Sequence, residues 1–499
     1  MKNKIILTYI IGAFIIYGCH SGIHKYNEIN SYANIFPDYI DVVIPPNISP
    51  LNFYINDTAQ KYHIEIYSKN GRKIIIHQKD PSIKIPIHKW RKLLDNNKGN
   101  LLYVDIFIKK DKWYKFKTIK DSIVEEKIES YLVYRLINQV NILWREMGIY
   151  QRDIENFDET PIYRNKTNAY GCVNCHHFNN AQADYMTLHF RKENPGTIIK
   201  AGDYIEKFDT KTPYTMSAFS YPAWHPSGKY IAYVVNKVTQ IFTSDINFHE
   251  VVFDQASDLV VYDIKKNTVT TSPKVSSKNR ENIPAFSHDG KWLYYISGPP
   301  YTDDSTKVFV KFDLVRISFD PETKTWGEPD TLLTSRETGK SISFPRVSPD
   351  DRYIMVTMSS YSYFPIFDKS SDLYIFDLKT RKYYPLECNS VYTESYHTWS
   401  QTGRWFVFSS RRIDDCYNRP FFSYFDKNGK SHKPFVLPQK DPLFYKKIMK
   451  NYNLPELVSN RVKLNENFMR DFVKTTPKKV EFDTTVDIDA LSGATFIYK

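Results

Sequence analysis

The sequence predicts a mainly β fold: an N-terminal β-sandwich, one connecting helix, and then a β-propeller of about six blades. Three observations carry that prediction. A segment made of a tight turn and an aromatic-rich strand recurs four times in the second half of the chain. Short alternating strands crowd the region from Asp41 to Thr118. The composition favours sheets, with 38 Tyr and 32 Phe among 499 residues. That length exceeds what one hydrophobic core serves, so more than one domain is expected.

The chain opens "MKNKIILTYIIGAFIIYGCHSG". Lys2 and Lys4 precede an apolar run from Ile5 to Tyr17, the layout of a secretory signal. The run is shorter than the ~20 residues that a membrane span needs. Gly18-Cys19 resembles a bacterial lipoprotein cleavage box. The resemblance implies a signal peptide over 1–18, lipid on Cys19, and a tether over 19–36 that holds the mature chain to a membrane.

Residues 37–120 read as the β-sandwich. The segments "DVVIP", "LNFYIN", "YHIEIYS", "RKIIIH", "LLYVDIFI" and "KWYKFKT" are short strands, and Asn70-Gly71 is a hairpin turn. Over 121–150 the spacing predicts a helix. Ile128, Leu132, Leu136, Val140, Leu143 and Met147 recur at three and four, and Gly148 stands where a C-cap belongs.

The repeat follows. "WHPSGKYIAYVV" starts at Trp224, "FSHDGKWLYYIS" at Phe286, "VSPDDRYIMVTM" at Val347 and "WSQTGRWFVFSS" at Trp399. Their turn residues Gly228, Gly290, Asp351 and Gly403 lie 62, 61 and 52 residues apart. Gly and Asp tolerate the positive φ of a tight turn, and four strands fill each such period. These units resemble the repeat of the TolB-like β-propellers. The resemblance covers residues 197–440 and, with "KAGDYIEKFD" before and "RPFFSYFDKNGKSHKPFVL" after, implies about six blades. The order of sandwich, helix, cysteine-containing segment and propeller is also similar to a group of outer-membrane lipoproteins of the Bacteroides group. That likeness implies an extracytoplasmic outer-membrane location. No acidic cluster follows Cys19, which favours the periplasmic face.

Residues 151–196 contain "YGCVNCHHF". Cys172, Cys175 and His176 form a CxxCH set, in which two thiols can reach the vinyl groups of a haem and the histidine can bind its iron. Met186 or His189 is a candidate distal ligand, or the sixth position stays open. Two other readings stand beside haem c. His177 and His189 could complete a zinc site with the cysteines, and Cys172 with Cys175 could form a dithiol pair. The other two cysteines, Cys388 and Cys416, could pair as a disulfide in an oxidising compartment.

The extension over 441–499 ends in "DIDALSGATFIYK". Asp489 to Thr495 resembles the D-x-x-[ST]-G-A-T pattern of flavinylation sites, which implies covalent FMN on Thr495 with Ser492 in the motif.

The net charge is +12, but the basic residues are scattered and no nucleic-acid motif occurs, so they read as a solvated surface with no nucleic-acid partner. HExxH, phosphate-loop and nucleophile-elbow motifs do not occur, which argues for a carrier or binding protein rather than a hydrolase. Two functions follow. The first is a membrane-anchored electron-transfer protein of c-type cytochrome character that works with a redox partner. The alternative is a non-catalytic envelope scaffold whose propeller binds a protein or glycan.

Overall fold

The computed structural model describes residues 23–138, 146–242, 250–300 and 309–491. Its larger part is a ring of six antiparallel blades between residues 131 and 458. From the axis outward, blade 2 runs Cys172–Phe178, Tyr185–Arg191, Gly196–Ala201, Tyr204–Asp209. Blades 3 to 6 begin with the inner strands Ser220–Trp224, Arg280–Phe286, Ser341–Val347 and Glu394–Trp399. Blade 1 is composite. Its outer three strands come early, at Tyr131–Asn138, Met147–Asp153 and Glu159–Arg164. Its inner strand is Lys450–Val458, which packs between the inner strands of blades 6 and 2 and so closes the ring.

The sheet repeat has a physical cause at each turn. In blades 3 to 6 the inner and second strands are joined by a five-residue reverse. There the N–H of His225, Ser287, Ser348 or Ser400 donates to the carbonyl of Tyr230, Trp292, Tyr353 or Trp405, at 2.8–2.9 Å. The turn residues Gly228, Gly290, Asp351 and Gly403 all have positive φ. At Gly228 a Cβ would come within 2.7 Å of the Tyr185 ring, so glycine is required there for space as well as for φ. Asp351 accepts that strain and uses its carboxylate to cap the neighbouring turn, receiving the N–H groups of His288 and Asp289 at 2.7 and 2.8 Å.

The helix expected over 121–150 is replaced by strands. Tyr131–Asn138 and Met147–Asp153 pair antiparallel, with Leu136 opposite Gly148. The misreading has a simple origin. A spacing of four is a multiple of two, so Ile128, Leu132 and Leu136 mark one face of a strand as well as one face of a helix. Val133, Tyr134 and Ile137 are buried beside them, as they would be in a strand covered on both sides. Gly148 is no C-cap: its backbone lies so close to the Tyr163 carbonyl that a Cβ would sit 2.7 Å away. Val140 and Leu143 lie outside the described residues. The propeller therefore takes in the expected helix and the CxxCH segment, and it spans 131–458 rather than 197–440.

The N-terminal domain is a seven-stranded sheet and a three-stranded sheet sharing one core. The hairpin around Gly71 joins Lys61–Tyr67 to Ile74–Gln78, as the Asn-Gly pair predicts. A nine-residue helix, Ile87–Asp95, was not foreseen, and it buries Trp90, Leu93 and Leu94. This core is continuous with blade 6: Trp405 donates its indole N–H to the Glu126 carbonyl at 3.0 Å, and the Tyr39 hydroxyl donates to the Val436 carbonyl.

Beyond blade 1 the chain forms a strap. The helix Glu466–Phe472 is capped by Asn465 and pinned by the Arg164–Glu466 ion pair. Lys478–Lys479 and Glu481–Phe482 then add parallel to the outer strands of blades 2 and 3, covering edges that would otherwise invite pairing with other chains. Among the described residues no helix is long and apolar enough to cross a membrane.

Candidate functional site in the central channel

All six inner strands carry the same β-bulge, and the CxxCH segment is one of the six. The pairing shifts between Ser220 and Ala223, Asn282 and Ala285, Ser343 and Arg346, and Ser395 and Thr398. In blade 2 it shifts between Asn174 and His177, and in blade 1 the bulge falls in the closing strand, opposite Val133 and Arg135. Laid on this register, "SYPAW", "NIPAF", "SFPRV", "SYHTW", "NLPEL" and "NCHHF" are six copies of one element. Tyr221, Ile283, Phe344, Tyr396 and Leu454 all have positive φ at the second position, and Cys175 stands at that position in blade 2. His176 stands where Pro222, Pro284, Pro345 and Pro455 stand, and His397 is its counterpart in blade 6. The turn after it is the family turn lengthened by one residue, with Asn179 N–H donating to the Tyr185 carbonyl.

The bulge aims the inner strands at the axis and builds a channel. Its waist is formed by His177, Arg346 and Glu456, which line both the larger cavity on one side and a smaller one on the other. The larger cavity encloses about 1230 Å³ including its open mouth. Its two halves differ. Blades 3 to 6 contribute rings such as Tyr221, Phe344, Phe364 and Tyr396. Blades 1 and 2 contribute Arg135, Cys172, Asn174, His176, Arg191 and Asn453.

The polar half is unsatisfied. His176 is 2 % exposed, and its ring nitrogens make no hydrogen bond of good geometry, the Leu454 backbone being a loose partner. His397, at the same ring position, donates its Nε2–H to the Met355 carbonyl, 2.9 Å away. Arg135 Nε and Asn453 Oδ1 are buried without partners. Burial, with Arg135 nearby, pushes the His176 imidazole down to about 3, so it is neutral at physiological pH. Burial raises Glu456 to about 8, against the opposing pull of Arg346 and of the Phe178 N–H, which bonds its carboxyl at 3.0 Å.

Buried titratable groups set a pH dependence for the fold. Desolvation lifts Asp121 to about 8 and Asp254, Glu281 and Glu394 to about 7. Unfolded carboxyls titrate near ~4, so the folded state binds more protons between that value and ~8, and stability falls as pH rises through the window. His189 and His397 are pushed down to about 3 by burial, so they oppose folding as pH falls below ~6.5. The thermal midpoint is expected to be higher at pH 5.5–6.5 than at pH 8.5. A midpoint that climbs steadily to pH 8.5 would contradict the assignment.

Cys172 and His176 both line the larger cavity. The candidate distal ligands do not join them. Met186 and His189 lie on the second strand of blade 2, where Met186 packs in a core and His189 Nδ1 is 2.9 Å from Thr197 Oγ1. Neither residue is among those that line the channel. Among the described residues no three His, Cys, Asp or Glu side chains converge as a metal site. Cys388 and Cys416 are free thiols rather than a disulfide: Cys388 is fully buried beyond the outer strand of blade 5, and Cys416 sits in a loop of blade 6. Cys19, Ser492 and Thr495 lie outside the described residues.

No family model matches the chain, and no curated protein does. Several solved structures are similar. TolB from Acinetobacter baumannii shares 12% identity over 72% of this chain and 79% of its own, with a TM-score of 0.42. A hypothetical selenium-binding protein from Sulfolobus tokodaii shares 7% over 68% and 96%, with a TM-score of 0.40. An auxiliary nutrient binding protein from Bacteroides thetaiotaomicron shares 12% over 78% and 99%, with a TM-score of 0.33. The blade count and the channel rest on this chain's own strand pairing.

Proposed function

We propose that this chain is a lipid-anchored binding protein of the cell envelope whose propeller channel takes a small ligand. The observation that carries the reading is the group of buried polar atoms on blades 1 and 2 that lack a hydrogen bond of good geometry, His176 foremost. A buried polar group without a partner costs about 1–3 kcal/mol, and several in one cavity wall mark where a ligand's own polar groups would sit. The anchor rests on Lys2, Lys4, the apolar run and Cys19.

One observation favours a second reading. Cys172 and His176 line the same wall, so a haem attached through Cys172 and Cys175 would have His176 within its site and would make the chain an electron carrier. The tail motif ending at Thr495 would add FMN to that reading.

A single measurement separates these. Protein purified from a host able to attach haem and flavin is weighed first under native conditions and then after denaturation. A mass that is present natively and lost on denaturation supports the binding reading. A mass that survives, with a Soret band and dependence on Cys172, supports haem. A bare chain in both states, identical to that of His176→Ala, overturns both.

A further inference from the structure

We propose that the channel is selective for organic anions, a carboxylate head on a flat apolar body, with the head held on the blade 1 and 2 side and the body lying against blades 3 to 6. The inference rests on the binding reading and names its ligand class.

Charge provides the first argument. Arg135 and Arg191 line the cavity on the blade 1 and 2 side, and Arg346 of blade 5 lines it at the waist. None of the three forms an ion pair with a described carboxylate, whereas Arg164, Arg316, Arg412 and Arg419 do. The contacts of Arg135 are neutral: its guanidinium donates to Asn174 Oδ1 and, at 3.5 Å, to the Val173 carbonyl. Arg346 donates to the Pro345 carbonyl at 3.0 Å. The one carboxyl in the cavity wall, Glu456, is held largely protonated at neutral pH and does little to offset them. Guanidinium forks match carboxylates geometrically, and such charge-assisted bonds are about twice as strong as neutral ones.

Shape provides the second. The opposite arc is largely aromatic and apolar, interrupted by Asn236 and Gln240 of blade 3 and by Arg346 at the waist. Phe344 and Tyr396 pack edge to face at 4.6 Å, with Phe364 beyond Tyr396 and Tyr221 beside Phe344. A flat ring presented to these faces gains stacking and apolar burial together. A cavity with two cations on one wall, a third at its waist and rings on the other wall rejects a small hydrophilic anion and a neutral hydrocarbon alike, because each leaves part of the lining unmatched.

The test uses naphthalene-2-carboxylate and biphenyl-4-carboxylate as probes, each against its neutral primary amide, by isothermal titration of the full-length protein. The inference expects the acids to bind at least tenfold more tightly than the amides. It expects that gap to narrow in Arg191→Gln and in Arg135→Gln, and the acid affinity to fall with added salt. Arg191 is the safer variant, because it makes no backbone bond that holds the inner strands together. Acids and amides binding equally would overturn selectivity for anions while leaving the channel a binding site. No binding of either pair overturns the inference, and the native mass measurement then reports separately on whether the channel holds any ligand.

Discussion

Replacing Trp405 with alanine is expected to cost about 3–5 kcal/mol, the range for deleting a large buried ring. Trp405 is fully buried on the second strand of blade 6, with Tyr424 at 5.1 Å and Phe435 at 6.3 Å around it. Its indole N–H is also the bond to the Glu126 carbonyl that ties the propeller to the N-terminal domain. The change therefore opens a cavity, orphans a carbonyl and weakens the seam between two structural units at once. Trp405→Phe separates these effects. It keeps most of the ring and loses the bond, so a loss nearer 1–2 kcal/mol is expected. Trp326→Ala, on a half-buried ring that packs tilted against Phe319 at 4.2 Å, provides a scale for an ordinary blade position and should cost less than Trp405→Ala. Urea midpoints at constant slope measure all three. Equal losses for Trp405→Ala and Trp326→Ala would mean that the domain seam contributes nothing to stability.

The propeller was legible because four blades repeat a turn that physical chemistry nearly dictates, with Gly228, Gly290, Asp351 and Gly403 at positive φ before an alternating strand. Two blades were hidden for two different reasons. Blade 1 is assembled from residues more than 280 positions apart in the chain, so no local pattern contains it. Blade 2 has the element but disguises it: the turn "NNAQAD" lacks glycine and is one residue longer, and cysteine and histidine replace the aromatic and proline positions. The signal was present. "NCHHF" matches "SYHTW" in its small polar first residue, its central histidine and its aromatic last residue, and departs from it where cysteine stands for tyrosine. The cavity could not be read at all, since Arg135, Arg191 and Arg346 meet only when blades 1, 2 and 5 close around one axis.

That register makes His176→Pro the most informative substitution in the molecule. Four of the six inner strands place proline there, which shows that the bulge neither needs this N–H for its ladder nor clashes with the ring. Proline limits the unfolded chain, a gain of about 0.4–1 kcal/mol where the native backbone accepts it. The change also removes two buried nitrogens that lack a hydrogen bond of good geometry, relieving up to a further ~1–3 kcal/mol. The ligand-free protein should therefore become more stable by roughly 1.5–4 kcal/mol on these two terms, an unusual sign for a core substitution. The same change should abolish the mass retained in the native measurement, because the imidazole is the most deeply buried of the polar groups that face the cavity. Gain of stability with loss of the bound mass would mark His176 as a residue kept for its ligand at the expense of the fold. A loss of stability would mean that the imidazole is a structural part of blade 2, and the binding reading would then lose the observation that carries it.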